Sequence, residues 1–91
     1  MNKQEFVEQL AQKANLPKSQ AKAVVDVTTQ LIVEGTQRGE KVTFTGFGTF
    51  EPYERKAVRR FNPRTRSAIQ VPAKRVPKFR AGKTFRSALA R

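Results

Sequence analysis

No acidic residue follows Glu54 in this 91-residue chain, although thirteen of its nineteen lysines and arginines do. Residues 1–53 hold six basic and six acidic side chains and balance to zero, so the last 38 residues carry the whole net charge of +12. A segment this one-sided cannot fold against itself by ion pairing. It must lean on the balanced half or on an external polyanion. The sequence has no histidine and no cysteine, which leaves no zinc site of the usual kind, no disulfide framework, no imidazole base and no thiol nucleophile. No metal and no cofactor are therefore expected, and the chain is not expected to be an enzyme. The absence of cysteine fits a reducing compartment. No apolar run approaches the roughly 18 residues of a membrane span, and Lys3, Glu5 and Glu8 stand where a signal peptide needs apolar residues. Leu, Ile, Val and Phe make up 22 of the 91 residues, slightly above the roughly 20% below which charged chains stay disordered. A core this small rarely supplies more than about 3–5 kcal/mol. With disulfide and zinc excluded, size and composition predict an obligate dimer.

The pattern of apolar residues predicts an α+β fold. Asn2 and Glu5 resemble a capping box, and Phe6, Val7, Leu10, Ala11 and Ala14 follow at helical spacing, giving a helix over 3–14. Pro17 suits the first position of a second helix. Its apolar face runs through Ala21, Val24, Val25, Leu31 and Ile32 to about Arg38, and Gly39 stops it. The period then changes. Lys41 to Thr45 alternates as a strand, Gly46-Phe47-Gly48 makes a tight turn, and Thr49 to Glu54 returns. Residues 55–72 predict a basic hairpin around Asn62-Pro63-Arg64-Thr65, which would set Val58 opposite Ile69 and Lys56 opposite Val71. Val76 to Arg80 is a last strand, and Gly82 to about Ala90 a short helix. The chain reads as one domain over 1–91. Residues 1–40 form a helical dimerisation part, 41–54 and 73–80 a three-stranded antiparallel sheet, 55–72 an arm, and 81–91 the terminal helix. The arm is the anomaly. A lone two-stranded ribbon is marginal, and this one is cationic from base to tip, so it needs a polyanion on which to order.

Each motif has a plainer reading. Gly82-Lys83-Thr84 resembles the end of a phosphate-binding loop, but Pro77 stands where that loop needs glycine, so nucleotide hydrolysis is strongly disfavoured. Gly82 at a helix start can still hold one phosphate, or serve only as a cap. Gly46 and Gly48 suit a turn between strands. Phe44, Phe47, Phe50, Phe79 and Phe85 could stack on single-stranded bases; inward positions for all but Phe47 favour core and dimer contact instead, together with Leu31 and Ile32. The seven acids form no catalytic pair and are most simply solvated. Pro63, a rigid apolar ring at the tip of a cationic ribbon, can wedge between base pairs.

The order of these elements resembles a known family. A helical hairpin, Gly46-Phe47-Gly48-Thr49-Phe50, a basic arm tipped by Asn62-Pro63-x-Thr65, and Val76-Pro77-x-Phe79-x-x-Gly82-Lys83 are together similar to the bacterial histone-like HU proteins, with integration host factor as nearest kin. The resemblance spans the chain. It implies an intertwined homodimer whose two arms wrap double-stranded DNA in the minor groove, with Pro63 intercalating and kinking the duplex. Arg55, Asn62 and Pro63 match arm residues of the family. Lys3, Arg80, Lys83 and Arg86 match phosphate-contacting flanks, and Gly46 and Gly48 match the turn near the bound backbone. Arg59, Arg60, Arg64, Arg66, Lys74 and Arg75 complete the expected DNA-binding set. The chain departs from the family at Val58, Arg60, Phe61 and Arg66, where a basic or hydroxyl residue, a small residue, a basic residue and often glycine are usual. Phe61 either packs along the arm or adds an apolar contact.

The function expected is non-sequence-specific architectural binding, bending and compaction of DNA by a nucleoid-associated cytoplasmic protein, without membrane or small-molecule partners. A sequence-preferring integration-host-factor-like subunit that pairs with a paralogue is the first alternative, and a basic RNA-binding protein the second. A membrane-active cationic peptide is disfavoured, because the charge lies on a ribbon rather than on an amphipathic helix.

Overall fold

Local capping explains where the first helix starts and stops. In a computed structural model that describes residues 1–90, Asn2 takes an extended conformation and its Oδ1 accepts from the Glu5 N–H at 2.9 Å. Helix α1 spans Lys3–Ala14 and ends at Asn15, which is left-handed with φ 55°. Asn15 and Leu16 return their N–H groups to the last turn, Leu16 to the Ala11 carbonyl at 2.9 Å, the usual way to satisfy orphan carbonyls. Pro17 precedes helix α2 (Lys18–Gln37) instead of opening it. Its carbonyl accepts from Ala21 at 3.0 Å, so the ring sits where no N–H is missed. The chain divides into two units, Met1–Glu34 and a second that begins at Gly35. In the first, Val7, Ala11 and Ala21 are buried, with Leu10 and Val25 packed against them.

The second unit opens with the last turn of α2. Gly39 takes φ +83°, and its N–H and that of Glu40 bond back to Thr36 and Gly35 carbonyls. Strand β1 (Val42–Phe44) pairs antiparallel with β2 (Gly48–Arg55), which pairs antiparallel with β5 (Lys74–Ala81). The connection from β1 to β2 closes with the Phe47 N–H on the Phe44 carbonyl at 2.9 Å, and Gly46 supplies the positive φ, +85°, that the third position of such a turn requires. Period-2 alternation gives the sheet two faces. Val42, Phe44, Phe50 and Phe79 lie on one. Thr43, Thr49, Glu51, Lys78 and Arg80 lie on the other. Phe47 and Phe85, from the turn and from helix α3 (Lys83–Leu89), join Phe44, Phe50 and Phe79, with adjacent ring centroids 4.7–6.4 Å apart. Residue 91, expected in the terminal helix, lies outside the described residues.

Strands β3 (Val58–Asn62) and β4 (Ser67–Val71) form a separate two-stranded ribbon. Its register corrects the expected one by two residues. Val58 faces Val71 and Arg60 faces Ile69, so Val58 is not opposite Ile69 and Lys56 is not opposite Val71. The reason lies at the tip. Asn62 still belongs to the ladder, opposite Ser67, and its carbonyl accepts from the Arg66 N–H at 2.7 Å. The loop is therefore Pro63–Arg66, with Arg66 left-handed at φ 56°. No slip separates ribbon from sheet: Arg55 faces Lys74, and three residues on Val58 faces Val71. Only residues 56–57 and 72–73 interrupt the strands, where Pro72 has no N–H to give the ladder.

Candidate nucleic-acid interface

The ribbon and the residues that lead into it are cationic and exposed. Arg55, Lys56, Arg59, Arg60, Arg64 and Arg66 fall within 55–72, and no acid does. Arg55, Arg59, Arg60, Pro63, Arg64 and Arg66 are all exposed, and Asn62 is half-buried. At the tip, Asn62 Oδ1 accepts from the Arg64 N–H at 2.9 Å, and the Thr65 and Ser67 hydroxyls are 2.6 Å apart. The Asn side chain thus mimics one more turn of backbone and holds Pro63 at the apex. The left-handed backbone of Arg66 costs about 1–2 kcal/mol for a residue with a Cβ, which gives a reason for glycine there in the resembling family.

At the base of the ribbon the polar face of the sheet continues the positive surface. Lys74, Lys78 and Arg80 are exposed on β5, and the Lys78 ammonium lies 5.2 Å from the centre of the Tyr53 ring. Glu51 corrects the expectation that all acids are solvated. Its side chain is 13% exposed, with Oε1 3.2 Å from Arg80 Nε and Oε2 3.6 Å from Lys41 Nζ. Strand alternation holds the signal that sequence reasoning missed, because Glu51 shares a face with Thr49, the residue that pairs with Arg80. Asp26, Glu8 and Glu40 also hold cations, namely Lys3 at 2.6 Å, Lys18 at 3.5 Å and Arg38 at 3.3 Å. Arg75 has a partner that no motif announces. Its Nη1 donates to the Gln37 carbonyl at 3.0 Å, at the end of α2 where carbonyls lack partners.

The glycine turn and α3 form a second locus in the same unit. Gly82 donates to the Phe47 carbonyl at 2.8 Å, and Phe85 to the Gly46 carbonyl at 3.2 Å. A Cβ on Gly82 would come within 2.9 Å of the Gly46 carbonyl oxygen, so glycine here lets helix and turn touch. Gly46, Gly48, Thr49, Arg80, Gly82 and Arg86 line an open groove of about 640 Å³. Lys83 and Arg86 are exposed. Phe44, Phe47 and Phe79, expected in core or dimer contact, are 44, 47 and 39% exposed, while Phe50 is half-buried.

Lys3 belongs to the first unit. Its ammonium, hydrogen-bonded to Asp26, holds that carboxyl below its ordinary value of 3.8 against the opposing effect of desolvation; Lys22 adds to the lowering. Leu31 is exposed on α2 and Ile32 half-buried. No helix among the described residues is long and apolar enough to cross a membrane.

Comparison with known proteins agrees with this geometry along the whole chain. The family model for bacterial DNA-binding proteins matches residues 1–90. DNA-binding protein HU of a Nostoc species is 48% identical over 90 residues, covering 99% of this chain and 96% of that one. HU of Clostridium pasteurianum is 43% identical over 86 residues, 94% of each. Among solved structures, an Anabaena HU–DNA cocrystal superposes with a TM-score of 0.90 at 48% identity, over 99% of this chain and 98% of that one. An HU variant from Thermotoga maritima superposes with a TM-score of 0.72 at 30% identity, over 98% and 99%. These are structural DNA-binding proteins and not enzymes. With the helical hairpin, the three-stranded sheet and the cationic ribbon all in place, the chain belongs to the bacterial histone-like HU family of DNA-binding proteins.

Proposed function

We propose that the chain is an architectural protein that binds double-stranded DNA as a homodimer, with little regard to sequence, and bends and compacts it. The observation that carries this reading is the arm at residues 55–72, an exposed stretch with six cations, no acid and a proline in its tip loop. Nothing in it resembles a major-groove recognition helix, so affinity comes from phosphates and deformation from the tip. Pro63 acts as the wedge, entering a base step from the minor groove and unstacking it. Arg55, Arg59, Arg60, Arg64 and Arg66 follow the phosphates beside it. Lys3, Lys74, Arg75, Arg80, Lys83 and Arg86 extend the contact along the flanks, with Gly46 and Gly48 letting the DNA backbone approach the turn. The Anabaena relative was solved as an HU–DNA complex, which supports DNA as partner here. Dimerisation is supported by apolar side chains that one copy leaves uncovered. Val27 and Leu31 are 53 and 59% exposed in the first unit, and Phe44, Phe47 and Phe79 are similarly open in the second. A second copy would bury them and bring the assembly to twice the +12 of one chain. Such a protein belongs on the nucleoid of a bacterial cytoplasm.

Pro63→Ala is the test. Bending is read by fluorescence transfer between the ends of a short duplex, and affinity by titration over a salt series. We expect the substitution to lower the bend while leaving log Kd against log salt parallel to wild type, with a slope of about 0.9 per neutralised phosphate. An unchanged bend would remove Pro63 from the wedge role, and a flat salt dependence would remove the electrostatic grip.

A further inference from the structure

We infer that Phe61 is a second apolar contact of the arm, laying its ring against the deoxyribose wall of the minor groove. The inference rests on the DNA-binding reading above and deepens it. Five of the seven phenylalanines cluster around the sheet, but Phe61 stands apart on β3 and is 64% exposed. Register gives the reason. Its partner across the ribbon is Ala68, whose methyl group is too small to cover a ring. Its neighbours on the same face are Arg59 and Gln70. Because register runs without slip from sheet to ribbon, Phe61 has the parity of Thr49, Glu51 and Arg55 and of their partners Arg80, Lys78 and Lys74. It therefore does not share the parity of Phe50 and Phe79 and is not an outlying piece of the aromatic core.

Arg59, Arg60, Phe61, Arg66 and Ala68 surround an open groove of about 510 Å³. A bare phenyl ring between guanidinium groups fits a ligand that alternates apolar edges with anions. The wall of a DNA minor groove has that chemistry: sugar C–H groups between phosphates. A ribose wall does not, because its 2′-hydroxyl lies in the minor groove and would lose water against the ring. Phe61 therefore favours DNA over RNA as well as adding salt-independent affinity.

The test compares wild type, Phe61→Ala and Phe61→Arg on one duplex DNA and the matching duplex RNA, across a salt series. Melting curves confirm that each variant folds. Burial of a phenyl ring is worth about tenfold in affinity or more. Phe61→Ala should weaken DNA binding by about tenfold at every salt, with an unchanged slope, and leave RNA binding as it was. Phe61→Arg should steepen the DNA slope by about 0.9 for each phosphate gained. Wild-type affinity for DNA in Phe61→Ala overturns the inference and leaves the architectural reading intact. An equal loss on DNA and RNA overturns the deoxyribose contact. If wild type itself does not bind duplex DNA, the underlying reading falls and takes this one with it.

Discussion

Replacing Gly48 by alanine tests whether this glycine serves the fold before it serves DNA. Gly48 is buried at the start of β2, opposite Ala81. A Cβ there would lie 2.5 and 2.6 Å from two atoms of the Phe79 ring and 2.7 Å from the Arg80 carbonyl oxygen. The two ring distances are at least about 1 Å short of ordinary contact between carbon atoms, and the distance to the oxygen is also too short to stand without a shift. The ring cannot simply withdraw, because Phe79 packs on Phe50 at 4.7 Å and on Phe47 at 5.4 Å. The carbonyl belongs to a strand fixed in the β2–β5 ladder. Overpacking of this kind costs about 1–3 kcal/mol, and with backbone and ring both obstructed the upper end applies. For a domain of this size about 3 kcal/mol lowers Tm by roughly 12–24 °C, and it removes most of the stability such a core supplies. Thermal unfolding followed by circular dichroism at fixed chain concentration measures it. Gly39→Ala is the control. Gly39 has φ +83° and, beyond its chain neighbours, nothing within 4 Å of where an added methyl group would sit, so only its backbone conformation is penalised, by about 1–2 kcal/mol. If Gly48→Ala melts within about 3 °C of wild type, less than 1 kcal/mol by the same scaling, the steric reasoning is wrong. If it then also loses DNA affinity, the glycine is there for the nucleic acid.

Two further outcomes follow from side-chain partners. Lys3→Met should return the Asp26 carboxyl toward its ordinary 3.8 from below, as read by carbon NMR during a pH titration; an unmoved titration refutes the assignment to Lys3. Because the folded pKa is the lower one, the pair's stabilisation is complete above the unfolded value and disappears as pH falls through the folded one, so it is lost only below about pH 4. Arg75→Ala removes the donor from the Gln37 carbonyl at 3.0 Å and should cost about 1–2 kcal/mol as a charge-assisted bond at a helix end. Hydrogen exchange should speed up at residues 36–40, and unaltered protection there would show that Arg75 does not hold the helix.

The elements were legible because their periods are strong. Phe6, Val7, Leu10 and Ala11 recur as a helix does, and Lys41 to Thr45 alternates as a strand does. The ribbon register was not legible. Asn62-Pro63 is a turn signal, but it does not say whether Asn62 is inside or outside the ladder. What decides is that Asn62 caps the loop with its own side chain and that Arg66 accepts a left-handed backbone, which no propensity for arginine predicts. The cations of the candidate interface were visible as residue types, whereas their partners were not. Glu51 with Arg80 and Lys41, and Arg75 with Gln37, are brought together by the folding of strands and helix end across 10 to 38 positions of sequence. The aromatic set was found, but its exposure in a single copy depends on surfaces that composition does not locate.

The paired gaps at residues 56–57 and 72–73 decide how the ribbon is attached to the sheet. Because both strands lose their ladder bonds at the same height while register is kept, the ribbon joins the sheet through two adjacent stretches of chain that make no ladder bonds. A change of backbone angles confined to those residues would break no ladder hydrogen bond in either sheet.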